Sequence, residues 1–507
     1  MPGTLGRDVR WLVETWARRT PEQPFLVWAP FDEPPRTWTR AGFAADVSRL
    51  ASVLHRHGLR EGGRLALVLP NCPSFLLGWA AATSLGAAAV CLDPRLSRDE
   101  LAYALGHSGS GFVITTPDRG QDVAAAAPRA RLYADGTVGA DSFAALLAAE
   151  PEPYPGPSSW SSAASIQYTS GTTSRPKGVV WTQANCLWAG QVGAAHQRLT
   201  PADVNLIHLP LFHTNALSYS FLASLWSGGT VVLQPKFSAS RFWDASVRQS
   251  VTWTSVVSFC LRALAGRPVP ERHCYRGWGN SAVVEASPLT GGVPVTGWFG
   301  MTETVSHPIV SDPLHPAPPG CMGRPAPEYG ITVTDEEGRQ VEPGDVGELR
   351  VHGTSGISLF AAYLDAPELT AAACDEHGWF RTGDRVRLDP DGFLWFVERD
   401  QDVLKVGGEN IGAPEIERVL LAAPGVCEAA VVGHPDPMLG EVPVAFVTAR
   451  ARQQLEVGQL QNWCAGRLGA NKLPRQIRVV DDLPRSTLDK VSKAALRSLL
   501  REETPSS

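Results

Sequence analysis

Hydrophobic and polar positions follow one pattern over most of the chain. Between residues 40 and 300, stretches with helical spacing are separated by short apolar runs. The runs are 65–69, 112–114, 165–168, 204–208 and 230–233. This alternation is typical of α/β layers built on a largely parallel sheet.

The pattern changes after Ile331. Shorter strands with alternating apolar and polar residues follow, such as 347–351 and 392–397, and they predict a β-rich region. Beyond about residue 400, a helix over 414–422 and strands near 429–432 and 444–448 indicate a smaller α+β unit. The fold class is therefore α/β with α+β, with a domain boundary at Gln401 that gives domains 1–400 and 401–507.

Residues 75–92 form an uncharged run that is long enough to resemble a membrane span. Gly78, Ser84 and Gly86 interrupt the run, and it ends at Asp93-Pro94. A buried helix followed by a buried strand accounts for this pattern better, so we expect no stable membrane insertion.

Composition excludes several classes of function. The chain of 507 residues is too long for one core, and its formal net charge of −6 leaves no basic surface for nucleic acid. The nine cysteines include no CxxC pair, which is typical of a reducing compartment. Residues 1–16 show no secretory signal, so we expect a cytoplasmic protein.

Lysine is rare, which makes its positions informative. The chain has 39 arginines and six lysines, and three of the lysines, Lys177, Lys405 and Lys490, lie in the motifs described below. A compact, mobile charge is needed where a side chain must reach a reacting group, and arginine does not replace it there.

Residues 168–178 follow an apolar strand and combine hydroxyl residues, two glycines and Lys177. Small residues let backbone N–H groups close on phosphate oxygens, and the lysine supplies charge. The segment is not a Walker A loop, because Pro176 precedes the lysine and Gly178 stands where a Ser or Thr would hold magnesium. An ordinary Ser/Thr/Gly linker is the alternative.

Residues 169–178 closely resemble the phosphate-binding signature of the adenylate-forming superfamily of acyl-CoA synthetases, luciferases and peptide-synthetase adenylation domains. The variant over 174–176 is most similar to the carnitine/crotonobetaine-CoA ligase branch. The resemblance implies ATP and CoA as substrates and Mg²⁺ as cofactor. It assigns phosphate contacts to Thr169, Ser170, Gly171, Thr172, Thr173 and Lys177.

Residues 298–303 resemble the family motif aromatic-Gly-x-Thr-Glu. The resemblance implies that Phe299 stacks on adenine beside Gly300, that Thr302 contacts phosphate and that Glu303 binds Mg²⁺. Residues 378–384 resemble the family's Gly-Trp…Thr-Gly-Asp motif, which places Asp384, together with Arg399, at the ribose hydroxyls.

The acyl pocket is also implied by the resemblance. His213 matches a Phe-His pair at its mouth, and Gly279, Asn280 and Trp298 fall on stretches that line it. Residues 278–281 depart from the family's glycine-rich stretch, which puts the contacts to the adenine edge in question. Aromatic and small residues in these stretches lead us to expect a bulky apolar acid rather than acetate.

The C-terminal domain is mobile in this family. Residues 399–411 resemble its hinge and thiol tunnel, with Gln401 at the pivot and with Gly407 and Gly408 beside the thiol arm of CoA. Residues 483–490 resemble the signature that carries the adenylation lysine, here Lys490. The preceding Asp489 replaces a glycine, and its charge would impair adenylation more than thioester formation.

Four functions stay open. The first is an AMP-forming acyl-CoA ligase whose substrate is a small-molecule carboxylic acid, joined to CoA through an acyl-AMP intermediate. The second is a ligase weighted towards thioesterification, which takes an acyl-adenylate from a partner adenylating enzyme. The third loads a carrier-protein thiol, and the fourth is a non-catalytic nucleotide-binding protein. A homodimer is a further hypothesis about partners.

Overall fold

The structure is a computed structural model. It describes residues 6–136, 139, 142–169, 175–287, 290–312, 315, 317–399, 403–450, 453–485 and 491–502. The chain divides into two compact units. The first contains 1–94, 105–168 and 178–398, and the second contains 95–104, 169–177 and 399–507. The predicted boundary at Gln401 stays a prediction, because that residue lies outside the described residues.

A seven-stranded sheet forms one layer of the first unit. In spatial order its described strands are β18 (Ala362–Tyr363), β8 (Lys177–Thr182), β7 (Ala163–Thr169), β4 (Ala88–Leu92), β3 (Arg64–Val68), β5 (Phe112–Thr115) and β6 (Arg131–Ala134). The pairs from β7 through β6 are parallel, as the apolar runs predict.

A nine-stranded sheet forms a second layer. In spatial order its described strands are β15 (Arg324–Pro325), β14 (Ile309–Val310), β13 (Val295–Phe299), β12 (Gly277–Asn280), β11 (Trp253–Ser255), β9 (Val204–Ile207), β10 (Thr230–Leu233), β1 (Pro24–Trp28) and β2 (Arg36–Thr39). The β11, β12 and β13 strands run parallel, so their carboxyl ends meet at one edge of the sheet.

An antiparallel sheet of four strands corresponds to the predicted β-rich region. Its strands are β16 (Gly330–Thr334), β17 (Val346–His352), β19 (Trp379–Leu388) and β20 (Leu394–Arg399). The predicted strand over 392–397 begins two residues later in the structure. Gly392, with φ at +83°, occupies the turn that precedes β20.

The second unit contains a five-stranded sheet. Its described strands are β21 (Val403–Val406), β22 (Glu409–Gly412), β23 (Val426–Asp436), β24 (Gly440–Ala449) and β25 (Gln476–Val479). The apolar face of α12 (Ala413–Leu421) buries Ile416, Val419 and Leu420. The predicted α/β and α+β fold class is confirmed.

Helices cover the sheets. In the described part of the chain, the others are α1 (Val9–Arg19), α2 (Arg40–Arg56), α3 (Pro73–Ser84), α4 (Arg98–Ser108), α5 (Gly120–Ala126), α6 (Phe143–Ala148), α7 (Gln183–Gln197), α8 (Ala223–Ser227), α9 (Phe242–Arg248), α10 (Ser258–Leu264), α11 (Pro367–Ala372), α13 (Val457–Ala465) and α14 (Lys493–Glu502). Short 3₁₀ turns lie at Pro117–Arg119, Thr302–Thr304 and Ala470–Lys472, and Asn215–Leu222 is π-helical.

The uncharged run over 75–92 is the buried helix and strand that its pattern predicts. Every residue of α3 from Ser74 to Ser84 is buried, and so is every residue of β4. Pro73 begins the helix, where its missing N–H costs nothing. Within the described residues, no helix is long and apolar enough to cross a membrane.

Candidate active site

The chain leaves β13 through Gly300 and enters a tight turn at Thr302–Thr304. The backbone N–H of Met301 donates to Thr304 Oγ1 at 3.0 Å, and the N–H of Thr304 donates back to the Met301 carbonyl at 3.1 Å. Val305 then has φ at +64°, a strained value for a β-branched residue. These bonds hold the turn, so that Thr302 and Glu303 are displayed at the carboxyl edge of the sheet.

Thr302 is held on both sides. Its carbonyl accepts a hydrogen bond from the indole N–H of Trp181 at 2.8 Å. Its hydroxyl lies 3.0 Å from Thr214 Oγ1, which lies in turn 2.7 Å from Gln167 Oε1. The three side chains form a chain of polar groups contributed by β7, the turn after β13 and the residue that precedes the π-helical segment.

Glu303 is a buried carboxylate, 5% exposed. The hydroxyl of Tyr363 donates to its Oε1 at 2.9 Å, and its carbonyl accepts from the N–H of Phe360 at 2.9 Å. No ion pair involves Glu303 among the described residues. A buried anion without a cation is costly, and a divalent cation would offset that cost.

Asp384 lies within β19 and is also buried, at 3% exposed. The preceding Gly383 has φ at +70°, and the N–H of Asp384 bonds to Thr382 Oγ1 at 3.1 Å. The hydroxyl of Thr382 donates to the Leu349 carbonyl at 2.7 Å. This local network fixes the backbone at Asp384, as a residue that binds ribose hydroxyls would require.

The predicted phosphate loop is described only at its ends. Thr169 ends β7 and Lys177 begins β8, and both belong to the second unit. Ser170, Gly171, Thr172 and Thr173 lie outside the described residues, as do Gln401, Asp489 and Lys490. Arg399 is the last residue of β20, and the structure describes its backbone but not its side chain.

In the second unit, Gly407 and Gly408 connect β21 to β22. Their φ values are +60° and +89°, the left-handed values that a two-residue hairpin requires at both central positions. The N–H of Gly407 donates to the Leu439 carbonyl at 2.8 Å. The hairpin therefore explains the glycines by itself, and their role beside CoA stays a prediction.

His213 lies one residue before Thr214. Its ring contacts Phe212, with centroids 4.6 Å apart, and its backbone N–H donates to the Pro210 carbonyl at 3.0 Å. The π-helical segment Asn215–Leu222 follows, and it overlaps residues 217–223, a stretch that the resemblance to the family implies lines the acyl pocket.

Of the predicted pocket residues on β12 and β13, Gly279 and Trp298 come together, whereas Asn280 lies on the opposite face of β12. A Cβ built on Gly279 would overlap the indole of Trp298, and one built on Gly300 would overlap the hydroxyl of Tyr219. Asn280 donates from Nδ2 to the Ala282 carbonyl at 3.0 Å, and its Oδ1 has no partner among the described residues. Phe299, partly exposed, lies between Trp298 and Gly300.

Trp278 precedes Gly279 on β12 and lies on the opposite face of the strand. The side chain of Trp278 is fully buried and packs against Phe242, Trp243 and Tyr275, with ring centroids 5.4–5.6 Å apart. Because successive side chains of a strand alternate, Trp278 points away from the face that carries Gly279.

Sequence reasoning missed several residues around this site. Tyr363 and Trp181 hold Glu303 and Thr302, and Gln167 and Thr214 extend the polar chain. Two of them left a signal: Gln167 is a polar residue inside an apolar strand, and Thr214 directly follows His213. Tyr363 left none, because it is 60 positions away from Glu303.

Comparison with known families agrees with this geometry. Residues 13–364 match the family model of the AMP-binding enzyme, and residues 415–490 match that of the AMP-binding enzyme C-terminal domain. Crotonobetaine/carnitine–CoA ligase from Salmonella arizonae is 31% identical, over 90% of this chain and 92% of its own. Sulfoacetate–CoA ligase from Cupriavidus necator is 34% identical, over 96% of each chain.

Solved structures show the same fold. A double mutant of o-succinylbenzoate CoA synthetase from Bacillus subtilis, bound to its product analogue, has a TM-score of 0.84 at 30% identity and covers 96% of this chain and 98% of its own. Mycobacterium tuberculosis fatty acyl CoA synthetase has a TM-score of 0.69 at 29% identity, over 98% and 99%. The chain therefore belongs to the AMP-binding enzyme family, within the adenylate-forming acyl-CoA synthetase superfamily.

Proposed function

We propose that this protein is an AMP-forming acid–thiol ligase. A carboxylate attacks the α-phosphorus of ATP and releases pyrophosphate, and the thiol of CoA then attacks the acyl-AMP carbonyl and releases AMP. The observation that carries the proposal is the turn at Thr302–Thr304, which presents a hydroxyl and a buried carboxylate side by side. The relatives named as CoA ligases support the choice of acceptor.

Each polar group has a task in this reaction. The hydroxyl of Thr302, positioned by Thr214, donates to the α-phosphate as charge builds there. Asp384 accepts the ribose hydroxyls and so orients both ATP and acyl-AMP. The loop that ends at Lys177 binds the outer phosphates, and Lys490 supplies positive charge during adenylation.

A Mg²⁺ ion fits Glu303. No cluster of three or more His, Cys, Asp or Glu side chains able to hold a metal occurs among the described residues, so the protein would contribute this one carboxylate. Mg²⁺ is commonly bound through one or two carboxylates together with substrate phosphates and water. When bound, the ion neutralises the leaving pyrophosphate.

Several finer points belong to the proposal. The boundary and hinge are placed at Gln401, and the C-terminal domain rotates between the two half-reactions. The nine free cysteines support a reducing, cytoplasmic location. The weighting towards thioesterification, the partner adenylating enzyme that it needs, the carrier-protein thiol and the homodimer stay as hypotheses.

The test is an acid panel that includes carnitine, crotonobetaine, sulfoacetate, propionate, benzoate and octanoate, scored separately for pyrophosphate and for acyl-CoA. The proposal expects both products in equal amounts with at least one acid. Acyl-CoA formed only from supplied acyl-AMP would favour the thioesterifying ligase. Neither product from any acid, and none from acyl-AMP, would contradict the proposal.

A further inference from the structure

The indole of Trp298 fills the space beside Gly279. The β12 and β13 strands pair in parallel with Gly279 opposite Thr296, which places Trp298 on the same face one step further along. A Cβ on Gly279 would overlap the indole, so this glycine and this tryptophan fit only as a pair. Trp298 is 4% exposed, and it is therefore held in place rather than free to swing aside.

Two further rings lock the indole. His307 stacks on Trp298 with centroids 4.5 Å apart and planes 22° apart, and Tyr219 meets Trp298 edge-on at 5.9 Å. Tyr219 also contacts His307 at 4.0 Å. The three residues, which we call the aromatic wall, are all buried.

The aromatic wall is close to the reacting end of the site. Tyr219 lies in the π-helical segment that begins directly after Thr214, and Thr214 contacts Thr302 at 3.0 Å. Tyr219 is five positions after Thr214, which is about one turn of a helix with i→i+5 hydrogen bonds. An acyl group joined to a phosphate held at Thr302 would therefore lie about one helical turn from the aromatic wall.

We propose that Trp298 is the specificity-determining residue that closes the acyl site, and that the enzyme activates short carboxylic acids and excludes long-chain and aromatic ones. This inference rests on the proposed ligase function, because it concerns the acid of that reaction. It replaces the sequence-based expectation of a bulky apolar acid. The aromatic residues that suggested a roomy pocket occupy the space themselves.

The first test is binding, which needs no turnover. Non-hydrolysable acyl-sulfamoyl adenosines with acetyl, propionyl, octanoyl and benzoyl groups are titrated into the full chain. We expect the short analogues to bind at least tenfold more tightly than the long or aromatic ones. The Trp298→Ala variant should bind the benzoyl and octanoyl analogues at least tenfold more tightly than the parent does. The Trp298→Phe variant should show a smaller gain in affinity.

Trp278→Phe is the matched control, because Trp278 is a buried tryptophan on the opposite face of the sheet. The Trp278→Phe variant should keep the acyl preference of the parent. The inference is overturned if the parent binds octanoyl or benzoyl analogues as tightly as propionyl, or if folded Trp298 variants keep the parent's preference. The same acids are then assayed for pyrophosphate. If the protein binds the short analogues preferentially but turns over no acid, the proposed function is contradicted and this inference is not. If the parent turns over long acids, this inference is contradicted and the proposed function is not.

Discussion

Neighbouring strands of the nine-stranded sheet carry one tryptophan on each face, and the two faces differ in chemistry. Trp278 on β12 packs among Phe242, Trp243 and Tyr275 in an apolar core. Trp298 on β13 packs against His307 and Tyr219. The rings around Trp278 are those of Phe, Trp and Tyr, whereas an imidazole stacks directly on Trp298.

Each face also holds one buried neutral histidine. His208 contacts Phe242, and burial lowers its pKa to about 3; its Nε2 lies 3.3 Å from Thr254 Oγ1. Burial and the nearby His196 lower the pKa of His307 well below its usual range, and neither of its ring nitrogens has a partner among the described residues. Buried ring nitrogens without a partner among the described residues occur on both faces: Nδ1 of His208 and Nε1 of Trp278 on the first, and both nitrogens of His307 on the second.

Replacing each of the two tryptophans in turn should reveal the largest difference between the two faces, measured as the loss in free energy of unfolding. Trp278→Ala should lower the free energy of unfolding by about 3–5 kcal/mol, because the apolar core cannot fill the cavity. Trp298→Ala should cost clearly less, because water can enter a space lined by polar groups. Urea unfolding followed by circular dichroism measures both. Equal losses would mean that the two faces do not differ as described.

Substitution of Glu303 tests whether the reaction takes place on the face of the sheet that carries Trp298. Glu303→Gln should lower acid-dependent pyrophosphate release at least about 100-fold, or about 2.7 kcal/mol, because the neutral amide cannot balance a divalent cation. Glu328→Gln is the control, since Glu328 is a partly buried carboxylate that pairs with His196 at 3.1 Å. Unchanged turnover in Glu303→Gln would remove the carboxylate from the mechanism.

A double-mutant cycle sharpens the pairing of Gly279 with Trp298. Gly279→Ala should destabilise the parent, because the added methyl overlaps the indole. The same change in a Trp298→Ala background should cost about 1–3 kcal/mol less, which is the coupling expected of residues in direct contact. Chemical denaturation of the four proteins gives the coupling, and additive effects would show that the indole does not fill this space.

The histidines predict how stability depends on pH. Both have folded pKa values below the unfolded value of about 6.5, so the unfolded chain binds the extra protons as pH falls. Stability is therefore full above about pH 6.5 and is lost below it, by up to about 1.4 kcal/mol per pH unit for each histidine.

Substituting each histidine in turn separates their contributions to the pH dependence of the free energy of unfolding. His208→Phe and His307→Phe should each flatten the slope of unfolding free energy against pH between about 6 and 4. His196 contacts His307 and also pairs with Glu328, so His196→Gln is measured in parallel. Unchanged slopes in both Phe variants would show that neither histidine is buried in its neutral form.

The spacing of apolar residues predicted the fold, because the residues of a short segment decide by themselves whether that segment is buried. The uncharged run over 75–92 and the apolar strands at 204–207 and 230–233 are each decided by a few neighbouring residues. The start of β20 was displaced from its predicted position because a glycine turn is decided by backbone conformation, which hydrophobic patterns do not report.

The site was predictable only in part. The motif over 298–303 drew attention to Thr302 and Glu303, and the structure places both in the short turn that follows β13. The overlap of Gly279 with Trp298 depends on the register between β12 and β13, and the bond from Tyr363 to Glu303 joins distant segments. A list of aromatic residues therefore suggested a bulky apolar acid, whereas the packing of the three rings supports the short acid proposed above.

The central claim is that this chain forms acyl-AMP and passes the acyl group to CoA. The most direct measurement is a single-turnover quench with ATP labelled at the α-phosphate, a short acid and CoA. The account predicts AMP, pyrophosphate and acyl-CoA in a 1:1:1 ratio, with acyl-AMP accumulating when CoA is withheld. Formation of ADP, or AMP that is independent of the acid, would contradict it.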